Sequence, residues 1–476
     1  MLVILLAMGA ATGSRPASAK ASEETKEDVM AVQLYLGQKM PLADLPEGKV
    51  IFSQEHVVEL SEQQILTAVG KGKVRISVDT GKETIPYADV EVRENEQLAG
   101  LSFNEDSFEG KFVGTGSFTL PIPQFQSMTC VWSSANAAIA TVTREGVITP
   151  VGPGWVNLSV VVTDSYGGQY SFTIPIHILE AKFSITKCNL AKGCQTLISV
   201  VASSGNPVVY KTLDSSIVSL VSFNAAGVTV KAKKVGTTTI IGIVDGMELQ
   251  CKVTVTNPTL KATYGFYQKK KKLTVTVKGM NAASVPVFST SDKTVATVSK
   301  KGVVRTRKYG SSVISCQVDG KVLNYYLAVS TKTAVKAMRY GYTQVGKKKY
   351  SQARRMSKNY YDCSSFVYRI YRAAGKYLVR RTSWAPVAAE IGQYYVRKGK
   401  QIKASKTYSE KKLRPGDLIC FGGSKAKRNG RYKRIYHIAL YIGNGKTMES
   451  SSTYNNVVIR DRGVIKKSDV PVVVRP

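Results

Sequence analysis

The chain has 476 residues, of which 43% are hydrophobic and 9% aromatic, a size and composition that exclude a disordered protein and a single-domain protein. Its three histidines lie far apart and its seven cysteines include no CxxC pair, so neither a zinc hydrolase site nor a dense disulfide framework is expected. The net charge is +34, and +27 of it lies between Thr331 and Pro476, where 34 Lys or Arg accompany 7 Asp or Glu. Such a field concentrates a polyanion near this part of the chain.

Residues 1–19 have the pattern of a signal peptide. An apolar run from Leu2 to Met8 is followed by the small-x-small sequence Ala17-Ser18-Ala19. The basic n-region is missing, which leaves open a start upstream of Met1. No other apolar stretch is long enough to cross a bilayer. We therefore expect a secreted, cell-wall-associated protein without a transmembrane segment, and wall polymer rather than nucleic acid as the polyanion.

A repeat of about 80 residues fills the first two thirds of the chain. Its anchor is an aromatic residue followed by a polar turn, and the anchors are 80, 78 and 78 residues apart: Phe52, Trp132, Tyr210 and Phe288. Downstream of each anchor, a glycine opens a β-rich run: Gly72, Gly154, Gly236 and Gly310. Short strands in units of this size predict tandem β-sandwiches, with the aromatic residue in each core.

The motif VWSSANAAIATV and its counterpart VFSTSDKTVATV resemble the bacterial immunoglobulin-like group 2 domain. The second and fourth repeats match well, the third has an insertion near Ser222–Ala226, and the first is recognised mainly by its spacing. The resemblance implies four all-β Ig-like sandwiches that act as spacers or adhesive modules. The expected boundaries are 20–97 for the degenerate first repeat, then 98–180, 181–257 and 258–331, with an α+β domain at 332–476.

Cys363 is the best candidate for a reactive atom. In YYDCSSFVYRIYRAAG, Asp362 is a good N-cap and the apolar residues that follow recur at helical spacing, which predicts a helix that begins at Cys363. The free N–H groups and positive dipole end of a first helical turn favour a thiolate, the nucleophilic form of cysteine. The alternative is that Cys363 is a small buried residue with no chemical role. Cys420, in the middle of a predicted strand, is interpreted as buried and inert. A second helix is expected at Ser383–Val396.

His437 is the single histidine after residue 331, on the predicted strand Ile435–Ile442, with Ile438, Leu440 and Ile442 facing inward. A cysteine peptidase needs such a base. Glu449, on the next predicted strand Lys446–Ser450, can orient the imidazole if the hairpin register allows it. A three-residue loop at 443–445 puts Glu449 opposite Ala439 and beside His437, whereas a two-residue Asn-Gly turn puts it on the other face. The residues leave both registers open.

Three ordered segments, YDCSSFV, LRPGDLICF and YHIALYIGNGKTMES, resemble the NlpC/p60 cell-wall cysteine peptidases from about Tyr340 onward. The resemblance implies a papain-like fold without metal or organic cofactor. It also implies Cys363 as nucleophile, His437 as base and Glu449 as third residue, and it favours the three-residue loop. Tyr350, Asp362 and Ser364 are the implied substrate-binding residues, although Asp362 also suits a helix cap and Asp417 is read as structural. The family's Trp-Gly-Gly after the tyrosine is absent.

The expected function is cleavage of a stem-peptide amide of peptidoglycan, next to D-γ-glutamate, by a monomeric secreted enzyme. The alternatives are an adhesive or wall-binding protein whose C-terminal domain is inactive, and an N-acetylmuramoyl-alanine amidase of the related CHAP type.

Overall fold

The computed structural model describes residues 29–424 and 427–476. The predicted signal peptide lies outside these residues. The chain divides into two compact units at Glu180/Ala181. None of the helices in the described ranges combines the length and apolarity that crossing a bilayer demands.

Strands β1 to β7 form a four-stranded sheet in the order β1-β7-β6-β3 and a smaller sheet in the order β2-β5-β4. Their bounds are Met30–Tyr35, Lys39–Pro41, Lys49–Phe52, Val58–Leu60, Ile65–Ala68, Gly72–Asp79 and Thr84–Arg93. The second group, β8 to β13, gives the sheet β8-β13-β12-β9 and the pair β10-β11. Its bounds are Lys111–Phe112, Thr129–Ser134, Ala140–Val142, Ile148–Pro150, Gly154–Thr163 and Gln169–Leu179.

The third group, β14 to β21, forms the sheets β15-β21-β20-β17 and β14-β16-β19-β18. Its bounds are Ala181–Phe183, Lys187–Ala191, Gln195–Ala202, Val209–Thr212, Val218–Asn224, Gly227–Ala232, Gly236–Val244 and Met247–Thr256. The fourth group, β22 to β30, forms β23-β30-β29-β26, β24-β28-β27 and β22-β25. Its bounds are Thr259–Leu260, Tyr264–Tyr267, Lys272–Thr274, Val277–Lys278, Val287–Thr290, Ala296–Val298, Val303–Thr306, Gly310–Val318 and Lys321–Val329.

The principal sheets of the four groups share one topology. In each sheet, an early strand runs parallel to the last strand of the group. The last strand also pairs with the penultimate strand. The penultimate strand pairs in turn with the strand that carries the repeated aromatic residue. The four aromatic residues are half-buried rather than fully enclosed. The four repeated glycines begin the penultimate strands with φ of +153, +137, +157 and +148, a backbone region that side chains disfavour. The expected fold class, all-β Ig-like sandwiches before an α+β domain, is confirmed.

The α+β part begins with α1, Lys332–Gln344, and continues with α2, Cys363–Ala373, and α3, Ala388–Arg397. A five-stranded antiparallel sheet has the order β37-β36-β35-β34-β39. The strands of this region, β31 to β39, are Lys349–Tyr350, Tyr360–Tyr361, Thr407–Tyr408, Leu418–Phe421, His437–Gly443, Lys446–Ser451, Asn456–Asp461, Ile465–Lys466 and Val472–Val474. Helix α3 begins five residues later than expected, because Pro386 disfavours helical backbone at Ala385.

Both faces of the central sheet are covered, unlike the one-sided burial expected from β35. Ile438, Leu440 and Ile442 pack into the cluster that contains α2. Tyr441, on the opposite face, packs with Ile419 and other residues in a second cluster. The hairpin that carries the candidate third residue is therefore enclosed, and its polar groups require partners inside the protein.

The fourth β group packs directly on the α+β part. Phe266 of β23 belongs to the same buried cluster as the residues of α1 and α2. Its carbonyl oxygen accepts a hydrogen bond of 2.9 Å from Nε of Arg339. At the tip of the β35–β36 hairpin, the amide of Asn444 donates to Oγ of Ser311 at 2.9 Å. The last sandwich thus supports the hairpin and helices from which the candidate site is built.

Candidate active site

Cys363 is the first residue of α2 and is buried, with 7% of its surface exposed. The helix begins here because of a capping box. Oδ1 of Asp362 accepts from the amide of Ser365 at 2.7 Å, and Oγ of Ser365 accepts from the amide of Asp362 at 2.9 Å. The sulfur therefore lies beside the positive end of the helix dipole and the first-turn N–H groups, which interact favourably with negative charge.

His437 begins β35 and pairs with Phe421 of β34, whose ring centroid is 5.5 Å from the imidazole. The imidazole lies in hydrogen-bonding range of the Cys363 sulfur and of Glu449. Burial alone would lower the pKa of His437, but the hydrogen bonds and charges of Cys363 and Glu449 outweigh it and raise this pKa to about 9. The imidazole is therefore protonated at neutral pH, the state that forms an ion pair with a thiolate.

The register that brings Glu449 to His437 combines the two alternatives left open by the sequence. The hairpin closes with a two-residue turn, since Gly443 pairs with Lys446 and both Asn444 and Gly445 have positive φ. A β-bulge between Tyr441 and Gly443 then shifts the register, so that Tyr441 pairs with Thr447 and Leu440 with Met448.

Continued by one residue, the register after the bulge sets Glu449 opposite Ala439, as the three-residue loop would have done. Oε2 of Glu449 lies 3.5 Å from Nε2 of His437. This contact uses Nε2, which leaves Nδ1 as the ring nitrogen available to the Cys363 sulfur. The bulge at Ile442 thus reconciles the Asn-Gly turn with a productive orientation of the carboxylate.

Glu449 is completely buried and is held by arginines that the sequence reading missed. Nη2 of Arg462 donates to both carboxylate oxygens, each at 2.5 Å, and Nη1 of Arg460 lies 3.4 Å from Oε1. Thr447 adds a hydrogen bond of 3.1 Å from its hydroxyl to Oε2. Burial raises the pKa of Glu449, but His437 and Arg462 outweigh it and lower this pKa to about 2. The carboxylate is ionised at every pH at which the protein is expected to work.

A sequence signal for these arginines did exist. A carboxylate in the middle of a buried strand needs a cation nearby, because an unpaired buried charge is very costly. Arg460 lies on β37, which pairs with β36, and Arg462 follows the same strand. The strand Asn456–Asp461 was not predicted, so the two arginines were not connected with Glu449.

The three candidate substrate-binding residues lie around Cys363. The phenol of Tyr350 is half-buried and accepts from Nε2 of Gln352 at 3.3 Å. Burial raises the pKa of Tyr350, and the nearby Cys363 and Asp362 raise it further while Arg355 opposes them. These four groups therefore share one electrostatic environment.

Asp362 and Ser364 have partners within the protein. Oδ2 of Asp362 is 3.0 Å from Nε of Arg355, and Oγ of Ser364 accepts from Nη2 of Arg355 at 2.7 Å while donating to Oδ1 of Asp362 at 3.2 Å. Arg355 is a third residue, after Arg460 and Arg462, that the sequence analysis did not single out. It lies in the segment where the family's Trp-Gly-Gly is absent.

Asp417 and Cys420 occupy structural positions. Asp417 is 1% exposed and accepts from Nε and Nη2 of Arg475 at 2.7 and 2.8 Å. Cys420 is fully buried in β34, and this burial raises the pKa of its thiol. The Cys420 thiol therefore stays protonated.

The described residues contain no group of three or more His, Cys, Asp and Glu side chains that could hold a metal ion. The site instead combines a helix-terminal thiol, a protonated imidazole and a fixed carboxylate. Such a set can carry out nucleophilic attack on a carbonyl group. The first-turn N–H groups beside the sulfur can stabilise the oxyanion that results.

Comparison with known proteins identifies the NlpC/P60 family in residues 341–468. Gamma-D-glutamyl-L-lysine dipeptidyl-peptidase of Bacillus subtilis is 30% identical over 99 residues, which cover 21% of this chain and 26% of that protein. Ice-binding protein 1 of Shewanella frigidimarina is 23% identical over 251 residues, which cover 48% of this chain and 28% of that protein. The chain thus spans about a quarter of the length of each of these relatives.

Among solved structures, the P60 domain of antigen MAP1204 from M. avium subspecies paratuberculosis is 17% identical, with a TM-score of 0.21. The match covers 30% of this chain and 93% of that one. NlpC/P60 family members are cysteine peptidases, and the family includes peptidoglycan hydrolases. Residues 341–468 of this chain are an NlpC/P60 domain, which follows an all-β region of Ig-like sandwiches.

Proposed function

We propose that this protein is an exported, wall-associated peptidoglycan hydrolase that cleaves a stem-peptide amide next to D-γ-glutamate. The observation that carries the proposal is the convergence of Cys363, His437 and Glu449, with Glu449 ionised and His437 protonated at neutral pH. The name of the Bacillus subtilis relative, a gamma-D-glutamyl-L-lysine dipeptidyl-peptidase, supports the choice of bond.

The reaction starts with the thiolate of Cys363, which attacks the carbonyl carbon of the scissile amide. The carbonyl oxygen becomes an oxyanion that first-turn N–H groups of α2 stabilise. As the C–N bond breaks, Nδ1 of His437 gives its proton to the departing amine and a thioester remains. The neutral imidazole then takes a proton from water, whose oxygen attacks the thioester, and release of the acid restores the thiolate and the imidazolium.

Glu449 acts as a positioning residue in this scheme. Its carboxylate lies against Nε2 of His437 and favours the orientation that presents Nδ1 to the sulfur. Arg462 and Arg460 fix the carboxylate in turn.

The remaining parts of the chain fit a wall-directed enzyme. The charge of +27 after Thr331 provides long-range attraction to anionic wall polymers, and the Ig-like sandwiches act as a spacer. The enzyme is proposed to work as a monomer. It is also proposed to need no metal or organic cofactor, because Cys363, His437 and Glu449 are sufficient for the chemistry.

The test is release of soluble muropeptides from purified peptidoglycan by the wild-type chain, by Cys363→Ala and by the control Cys420→Ala, which removes a buried thiol from the same domain. Release by wild type and Cys420→Ala, with none by Cys363→Ala, supports the proposal. Equal release by all three, or none by any, would contradict it.

Mass spectrometry of the released fragments identifies the bond. New D-glutamate carboxyl ends support an endopeptidase. Free lactyl groups on muramic acid would instead assign the site to an amidase of the CHAP type. Binding to peptidoglycan without any cleavage would favour the adhesive alternative.

A further inference from the structure

Ser311 of β29 is the point at which the fourth sandwich touches the turn of the β35–β36 hairpin. Its Oγ accepts a hydrogen bond of 2.9 Å from the amide of Asn444. No side chain fits at Gly443, because a Cβ added there would overlap Cβ of Ser311. The Ser311 hydroxyl also opposes the rise in pKa that burial gives to Tyr441. Ser311 therefore lies close to residues on both sides of the β-bulge.

A second contact holds the other strand of the hairpin. Lys446 pairs with Gly443 across the turn, and its ammonium lies 4.8 Å from the ring centroid of Tyr326 on β30. The same ammonium is 2.6 Å from Oδ2 of Asp461 on β37. Both ends of the two-residue turn are therefore fixed against the fourth sandwich, within one compact unit of the chain.

The position of Ser311 faces solvent in the other three repeats. It is the second residue of the penultimate strand, directly after the repeated glycine. Its counterparts are Lys73, Trp155 and Thr237. Those three side chains are exposed, whereas Ser311 is half-buried. The fourth repeat thus uses an otherwise solvent-facing position for its contact with the hairpin.

The turn matters for catalysis because its register places Glu449. The bulge between Tyr441 and Gly443 adds the one residue that puts Glu449 on the face of His437, whereas a two-residue turn without the bulge would put it on the other face. The hydrogen bond that fixes the turn comes from outside the hairpin, through Ser311.

On the basis of the proposed function, we propose that Ser311 is a positioning residue of the peptidase reaction and that the fourth sandwich is part of the catalytic unit. Ser311 holds the bulged turn, and the turn sets Glu449 against Nε2 of His437. The carboxylate in turn keeps Nδ1 available to Cys363. Because Ser311 acts through the hairpin and not on the substrate, its hydroxyl contributes to kcat and not to KM.

The first experiment compares two serines of the same strand. Soluble disaccharide-peptides, prepared by muramidase digestion of sacculi, are cleaved by the full wild-type chain, by Ser311→Ala and by Ser315→Ala, with Cys363→Ala as the blank. Ser315 is the matched control, since its hydroxyl donates to Oδ1 of Asn324 at 2.8 Å and so also makes one side-chain hydrogen bond. We expect Ser311→Ala to lower kcat about ten- to a hundredfold at unchanged KM, as for a small misplacement of a catalytic group, and Ser315→Ala to change neither. The urea midpoints of the two variants should be similar.

The second experiment tests whether the effect passes through Glu449. The groups that set the charge of His437 are Cys363 of α2 and Glu449 of β36, with Arg462 and Arg460 behind the carboxylate. If Glu449 moves away in Ser311→Ala, the alkaline limb of kcat/KM should shift from about 9 towards 6.5, and in Ser315→Ala it should stay in place. In a Glu449→Gln background, Ser311→Ala should change kcat little further, because residues that act through one contact are not additive.

Unchanged kcat in Ser311→Ala, or an equal fall in Ser315→Ala, would overturn the inference while leaving the proposed function intact. A fall in kcat with the alkaline limb in place would show a merely structural role and would also overturn it. So would an equal fall in the wild-type and Glu449→Gln backgrounds, since Ser311 would then act by another route. Absence of Cys363-dependent cleavage by wild type would instead refute the proposed function, and the inference with it.

Discussion

The β-rich repeats and the NlpC/P60 domain differ in how many charged residues they bury and in what those residues contact. Among the described residues before 332, the single buried charged residue is Asp164. Its Oδ1 accepts backbone amide hydrogen bonds within a turn. Among the described residues after 331, the four buried charged ones each have an ionic partner: Arg355, Asp362, Asp417 and Glu449. The repeats are held mainly by apolar cores, whereas the NlpC/P60 domain also contains specific buried ion pairs.

The difference explains how each region tolerates sequence change. A sandwich needs alternating apolar residues and a glycine at the start of one strand, so its first repeat can diverge until mainly the spacing is recognisable and still keep the shared strand order. A buried ion pair is less tolerant, because loss of one partner leaves the other charge buried and unpaired.

The largest contrast is expected for the histidines of the two regions. His437→Ala should reduce kcat by about a hundred- to ten-thousandfold, because it removes the general acid and base. His177→Ala, which removes a ring stacked at 4.3 Å on Trp155 in the second sandwich, should leave kcat unchanged. Muropeptide release measures both. A fall in kcat with His177→Ala would show that the repeats take part in the reaction.

Phe266→Ala tests whether the fourth sandwich stabilises the NlpC/P60 domain. Phe266 packs in the cluster that contains α2, and its loss should lower the free energy of unfolding of that domain by about 3–5 kcal/mol. Phe183, 6% exposed in the third sandwich, is the matched control. Heat inactivation should shift to lower temperature for Phe266→Ala alone. An equal shift for Phe183→Ala would mean that this dependence is not local to the fourth sandwich.

Arg462→Met should cost about 3 kcal/mol of stability, at the lower end of the range for a broken buried pair, because Arg460 remains near Glu449. Arg93→Met, in an exposed pair with Glu91, should produce no resolvable change in the urea midpoint. Urea denaturation followed by intrinsic fluorescence compares the two variants. Similar midpoints would remove the distinction between buried and surface pairs.

Of the changes predicted here, the pH dependence of kcat/KM should show the smallest effect. His437 must be protonated to form the ion pair, so kcat/KM should fall as pH rises through about 9. Since the folded pKa of His437 exceeds its usual value, the stability that it contributes is complete below about 6.5 and is also lost through about 9. Glu449→Gln removes the charge that helps to hold the proton and should move the alkaline limb to lower pH. An unchanged limb would contradict the coupling of Glu449 to His437.

Glu449 contributes stability that is lost at acid pH, whereas the contribution of His437 is lost at alkaline pH. Its pKa is lowered to about 2, so its contribution to stability is present above the usual value near 4.5 and is lost as pH falls from there towards 2. Acid unfolding of wild type and Glu449→Gln should therefore converge at low pH.

Local features were predictable because their causes lie within a few residues. Asp362 and Ser365 form the capping box that starts α2, so the helix could be placed at Cys363 from sequence. The start of α3 was missed because the segment before it has a helical pattern that Pro386 interrupts. The strands Asn456–Asp461 and Val472–Val474 were missed because short runs with little turn punctuation are weak signals.

The sequence by itself determined the repeated β architecture, the helix that begins at Cys363 and the order of Cys363, His437 and Glu449, since periodicity and capping are local properties. Only the tertiary structure decided the bulge that turns Glu449 towards His437, and the partners of the buried charges. Arg355 and Arg462 are 7 and 13 residues from the carboxylates that they neutralise, and strand order and loop path bring them there. Electrostatic pairing depends on distance in space, which sequence spacing does not fix.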